Sequence, residues 1–101
     1  MNDKTITVTV AKDLEDLIPK FMTNRNKELE TLRMALGAGD MEQLRQLGHR
    51  MKGVGNSYGF ELISVLGKQI EEGAKSGDLP GLEARIREYT DYLARVAIVY
   101  E

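Results

Sequence analysis

From Asp13 onward the apolar residues recur in steps of three and four, whereas the stretch before it, "TITVTV", alternates in steps of two. The two periods predict different backbones, helical in the first case and extended in the second. Phe21, Met22, Leu29, Leu32 and Leu36 mark one helix that begins near Pro19, where a proline is tolerated in the first turn. A short additional helix is expected before it, at 13–18. "GAGD" at 37–40 closes the long helix, with Gly37 or Gly39 as the stop and Asp40 as the next N-cap, in a capping box with Gln43. A helix from Met41 to about Val54 follows and "GNSYG" ends it. Another runs from Phe60 to Lys75, with Leu62, Ile63, Leu66 and Ile70 on one stripe. "KSGDLPG" repeats the glycine–aspartate punctuation. The last helix carries Leu82, Ile86, Tyr89, Leu93 and Val96 to the C-terminus.

Four long amphipathic helices with short connections predict an all-α, antiparallel four-helix bundle spanning 13–101. Residues 1–12 form an extended N-terminal arm. A single strand has no sheet to join in such a bundle, so the arm is expected to lie against the helices; the alternative is an edge that pairs with another copy.

Composition narrows the function. The 101 residues suffice for one domain with a real core. There is no cysteine, which excludes disulfides, zinc knuckles and thiol chemistry. A net charge of −2, with basic and acidic residues interleaved, argues against nucleic acid as a partner. No apolar run approaches the roughly 20 residues that span a bilayer, and the N-terminus lacks a secretion signal. A cytoplasmic protein without a membrane partner is expected. Each helix shows only one apolar stripe, which favours a monomer.

The candidate chemistry lies in "LGHRMKGVGNSYG", residues 47–59, which hold the single histidine. At about 100° per residue, Leu44, Leu47, Met51 and Val54 fall in a sector about 80° wide, the core stripe. His49 and Gly53 lie on the opposite side, each roughly 140–180° from its centre. Arg45, Lys52 and Asn56 flank His49. The imidazole is therefore expected in water among basic neighbours. One histidine with no Cys and no His-x3-His or Glu-x2-His spacing does not make a metal site. Gly53 costs a helix roughly 0.5–1 kcal/mol relative to alanine. It supports no packing on an exposed face, so its use is clearance beside the ring. A neutral imidazole is a nucleophile, and Lys52 could offset the charge of close to −2 that a phosphoryl group adds. The second ring nitrogen should be held by a partner, which the sequence does not reveal.

These residues resemble the His-x-x-Lys-Gly signature of histidine-containing phosphotransfer (HPt) domains. "LRQLGHRMKG" supplies the apolar lead-in, and "LIPKFMTNRNKELETLRMALGAGD" and "FELISVLGKQIEEGAKSGD" resemble the helices before and after the site. The resemblance covers roughly 13–98. It implies that His49 is the phosphoacceptor, Lys52 the positive neighbour, Gly53 the clearance residue and Gly59 the turn glycine. It also implies a carrier rather than an enzyme. The phosphoryl group would come from an aspartyl phosphate on a response-regulator receiver domain and return to another, with a hybrid histidine kinase in the pathway. The receiver would supply the Mg²⁺, and this chain would bind no cofactor. Val54 stands where a small residue is frequent, and Arg50 directly follows the histidine.

The expected partner surface takes in Arg45, Arg50 and Asn56 around His49. A stand-alone relay intermediate is the leading reading. The dimerisation part of a sensor kinase fits poorly, because an acid should follow the histidine and Arg50 stands there. A non-catalytic adaptor that sequesters a receiver or kinase is the main alternative, and a purely structural bundle is a third.

Overall fold

The computed structural model describes residues 4–101. Strand β1 (Ile6–Val10) leads through a 3-10 helix at Lys12–Leu17 into α1 (Ile18–Ala38). Then follow α2 (Met41–Gly55), α3 (Glu61–Ser76), α4 (Leu79–Arg95) and strand β2 (Val96–Tyr100). The expected short helix before Pro19 is thus a 3-10 segment continuous with α1, and Pro19 sits in the first turn of α1.

The punctuation works as its chemistry requires. Gly39 and Gly77 end α1 and α3 in the left-handed region, with φ of 67° and 70°, where a Cβ would be strained. Asp40 and Asp78 then accept the backbone N–H of Gln43 (3.1 Å) and Gly81 (3.0 Å). Asp40's own N–H donates to Ala35 O, so the Asp40–Gln43 pair is a one-sided cap and not a reciprocal box.

The helical stripes meet in one core. Phe21, Leu29, Leu32, Leu44, Leu47, Met51, Ile63, Leu66, Ile70, Leu82, Ile86 and Tyr89 are buried, while Met22, Leu36, Val54, Leu62, Leu93 and Val96 pack half-exposed around them. Burying side chains of this size contributes about 1.5–3 kcal/mol each. Tyr58 stacks on Phe21 with ring centroids 4.4 Å apart.

Both chain ends depart from expectation. The N-terminal segment is extended, but it is no lone arm: β1 pairs with β2 in parallel register, from Ile6 opposite Val96 to Val10 opposite Tyr100. The final helix does not run to the C-terminus, since the chain turns extended at Val96 (φ −69°, ψ 133°). The cause is local. "VAIVY" is rich in β-branched residues with an aromatic, which favour a pleated surface over a helix. Ile6, Val8, Val10, Val96, Ile98 and Tyr100 pack on the core, while Thr7 and Thr9 face solvent. The helical core buries one face of a ribbon too small to be stable alone.

Candidate functional site

Helix α2 meets its neighbours very differently on its two flanks. Towards α3 the contact is backbone on backbone. A Cβ added at Gly48 would come within 2.6 Å of Glu71 N and 2.7 Å of Gly67 O, and one at Gly67 within 2.5 Å of Lys52 N. At Gly55 it would meet Ser64 N at 2.6 Å. No real side chain tolerates such distances, so these three glycines set how closely the helices approach.

Ser64 secures the same pair at the end of α2. Its hydroxyl donates to Lys52 O (2.9 Å), one of the last carbonyls of the helix, and accepts the N–H of Asn56 (2.8 Å).

The close approach carries Glu71, one turn beyond Gly67, beneath the outer face of α2. Glu71 is only 5 % exposed. One carboxylate oxygen lies 3.0 Å from Lys52 Nζ, and the other 3.0 Å from His49 Nδ1 and 4.0 Å from Lys75 Nζ. The hydrogen bond from Lys52 holds the Glu71 carboxyl below its ordinary value of 4.5, helped by the bond to His49 and opposed by burial. An ionised carboxylate can only accept, so Nδ1 carries the proton that joins them. The neutral ring then bears its lone pair on Nε2. The His49 side chain is 66 % exposed, so that nitrogen is open to an incoming group.

The other sequence-predicted residues are spread along α2 and the turn that follows it. Gly53 is one turn along from His49, and nothing lies within 4 Å of where its Cβ would be. Arg45 is half-buried and held by Glu42 through two bonds of 3.0 and 2.6 Å, which raise its guanidinium above its ordinary value and lower Glu42. Asn56 caps α2, exposed, and Gly59 (φ 88°) makes the turn into α3 beside Val10. Arg50 does not join the His49–Lys52–Glu71 group. It lines the opposite flank of α2, in a groove shared with α1.

The sequence reading missed Glu71 and the glycines that admit it. A signal existed. Gly48 and Gly55 are seven residues apart on one side of α2, Gly67 lies inside the apolar stripe of α3, and Glu71 follows it by four. Such small residues inside helices mark close helix crossings, and a carboxylate one turn from a crossing falls within reach of the facing helix.

Among the described residues, no helix is long and apolar enough to cross a membrane. No curated protein and no solved structure matches the chain. The model of the Hpt domain family matches residues 10–98, across all four helices and the histidine segment. With nearly the whole chain matched, the protein belongs to the Hpt domain family, whose members carry phosphoryl groups on histidine in two-component signalling.

Proposed function

We propose that this chain is a monomeric, cytoplasmic phosphohistidine carrier whose phosphoacceptor atom is His49 Nε2. The observation that supports the reading most directly is the bond of His49 Nδ1 to the buried Glu71, which orients the ring and leaves the other nitrogen towards solvent. The donor is an aspartyl phosphate on a receiver domain, itself charged by a hybrid histidine kinase. The Nε2 lone pair attacks phosphorus, the bond from phosphorus to the aspartyl oxygen breaks, and the carboxylate leaves with the electron pair. The ring gains positive charge as the new N–P bond forms. Glu71, bonded to the Nδ1–H, stabilises that charge. Lys52 sits 3.0 Å from the other Glu71 oxygen and offsets the negative charge of the arriving group. Gly53 leaves room for the donor to close over the ring. Return to a second receiver runs the same step backwards. The Mg²⁺ that accompanies aspartyl phosphate chemistry belongs to the receiver, and no step requires a cofactor bound by this chain.

The test is phosphoryl transfer from a panel of phosphorylated receiver domains with Mg²⁺, following label onto the wild type and His49→Gln. Acid-labile, alkali-stable label on the wild type alone is expected. Receivers that bind the chain without ever labelling it would instead establish an adaptor.

A further inference from the structure

The flank of α2 that faces α1 holds a groove of about 420 Å³, lined among others by Asn24, Arg25, Lys27, Glu28, Gln43 and Arg50. Three of these side chains are cationic and one is a carboxylate. That carboxylate is already engaged: Glu28 Oε1 lies 3.1 Å from Arg25 Nε and accepts the Tyr89 hydroxyl at 3.0 Å. The Arg25 side chain is nine-tenths buried, with its guanidinium 4.8 Å from the centre of the Phe21 ring. Its Nε is enclosed yet makes no well-angled hydrogen bond.

Arg50 differs from Arg25 in its pairing. Arg25, Arg33, Arg45, Arg85 and Arg95 each pair with a carboxylate three or four residues away, whereas among the described residues Arg50 of the groove and Arg87 on α4 do not. Arg50 is exposed, feels Glu28 only through space, and has no carboxylate within ion-pair distance among the described residues. Chain geometry puts it about 100° around α2 from His49, so the groove borders the open strip of His49 and Gly53. A second hollow continues the groove past Asn24 and Arg25 to Leu17, which is half exposed.

We propose that this groove is the specificity-determining flank of the docking surface, taking carboxylate side chains of an incoming receiver domain on the exposed cations Arg50 and Lys27 that line it. The assignment rests on the phosphotransfer reading for the identity of the partner. Charge complementarity selects the occupant. A receiver's phosphorylation pocket must hold Mg²⁺ on oxygen ligands, which makes it an acidic neighbourhood. The planar guanidinium of Arg50, with no carboxylate within ion-pair distance among the described residues, matches a carboxylate in two-point geometry. Amides at Asn24 and Gln43 add donors without adding repulsion. Such a basic flank also steers an acidic partner towards the imidazole before contact.

The experiment compares wild type, Arg50→Gln, Arg50→Glu and the control Arg87→Gln, an exposed arginine of α4. Each is titrated with the receiver panel by calorimetry at two salt concentrations, and each is assayed for transfer. Arg50→Gln is expected to weaken receiver binding about 3- to 10-fold and Arg50→Glu further, with the loss shrinking at high salt. KM should rise more than the maximal rate falls. Arg87→Gln should match wild type. Equal affinity and equal salt dependence across the Arg50 variants would overturn the proposal, whether or not label moves. Arg50-dependent binding without label on His49 would keep the groove and remove the phosphotransfer reading. No receiver binding at all would remove both.

Discussion

Two buried carboxylates sit on opposite sides of helix α2, and they behave in opposite ways. Glu71 and Glu28 are 5 % and 7 % exposed, and each has a cation within about 3 Å. Yet the Glu71 carboxyl is held below its ordinary value, chiefly by Lys52, while burial pushes the Glu28 carboxyl above it despite Arg25 and the Tyr89 hydroxyl. Burial as an area does not separate the two. The difference lies in how the partners are delivered. Glu71 stands where two helix backbones touch, with Lys52 and the His49 ring both reaching down to it. Glu28 shares its bonded oxygen between an arginine and a tyrosine, and Tyr89 is itself driven up by burial and by Glu28. One carboxylate is held towards its charged form beside an exposed imidazole, and the other is held away from it by burial.

The sharpest way to break the contrast is to separate the backbones. Gly67→Ala puts a methyl group on Lys52 N, and the protein should lose about 1–3 kcal/mol in urea unfolding. Transfer should fall with it, because Glu71 moves with its helix. Unchanged stability would show that the two backbones do not touch at Gly67. Next in size, Glu71→Gln keeps an acceptor but removes the charge. Transfer to His49 should slow by about 10- to 100-fold, the range typical of partners that orient a histidine, while Glu28→Gln should leave the transfer rate close to wild type. If both variants slow transfer alike, the comparison fails.

Gly53→Ala acts more gently. It should stabilise the helix by about 0.5–1 kcal/mol and still reduce transfer, read as a raised urea midpoint with a lower rate. The smallest effect is in the pH dependence of stability. Glu71, with its lowered value, contributes stability above pH about 4.5 that is lost as pH falls through its folded value. Glu28, with its raised value, contributes stability that is complete below about 4.5 and is lost as pH rises through its folded value. Urea midpoints across that range should therefore tilt in opposite directions in Glu71→Gln and Glu28→Gln, each relative to wild type.

The helices were legible because their stripes, caps and stops are local signals. Asp40, Asp78, Gly39 and Gly77 do what their chemistry dictates wherever the bundle places them. The ribbon was not legible as such. A strand's partner is a long-range choice, and five apolar residues after a helix read equally well as its continuation. At the site, the angular position of His49 followed from periodicity within one helix. Glu71 did not, because it depends on the separation of two helices, and that separation is written in glycines inside apolar stripes. Gly53 drew notice as the exposed glycine, while Gly48, Gly55 and Gly67 were hidden by looking like ordinary gaps. Arg50, which follows the histidine directly, faces a different neighbour because one residue is a 100° turn.

The parallel pairing of β1 with β2 has a mechanical consequence. Tension drawn between the two chain ends pulls Ile6 backwards along the ribbon and Tyr100 forwards. In parallel strands those pulls oppose each other along the strand axis, so the inter-strand bonds are loaded together in shear and not peeled one at a time. The bond pair Lys12 N–H to Glu101 O (2.9 Å) and Glu101 N–H to Val10 O (3.1 Å) lengthens the loaded seam. A bundle held this way should resist stretching until the whole ribbon slips, and the helices bearing His49 and Glu71 stay shielded from force up to that point.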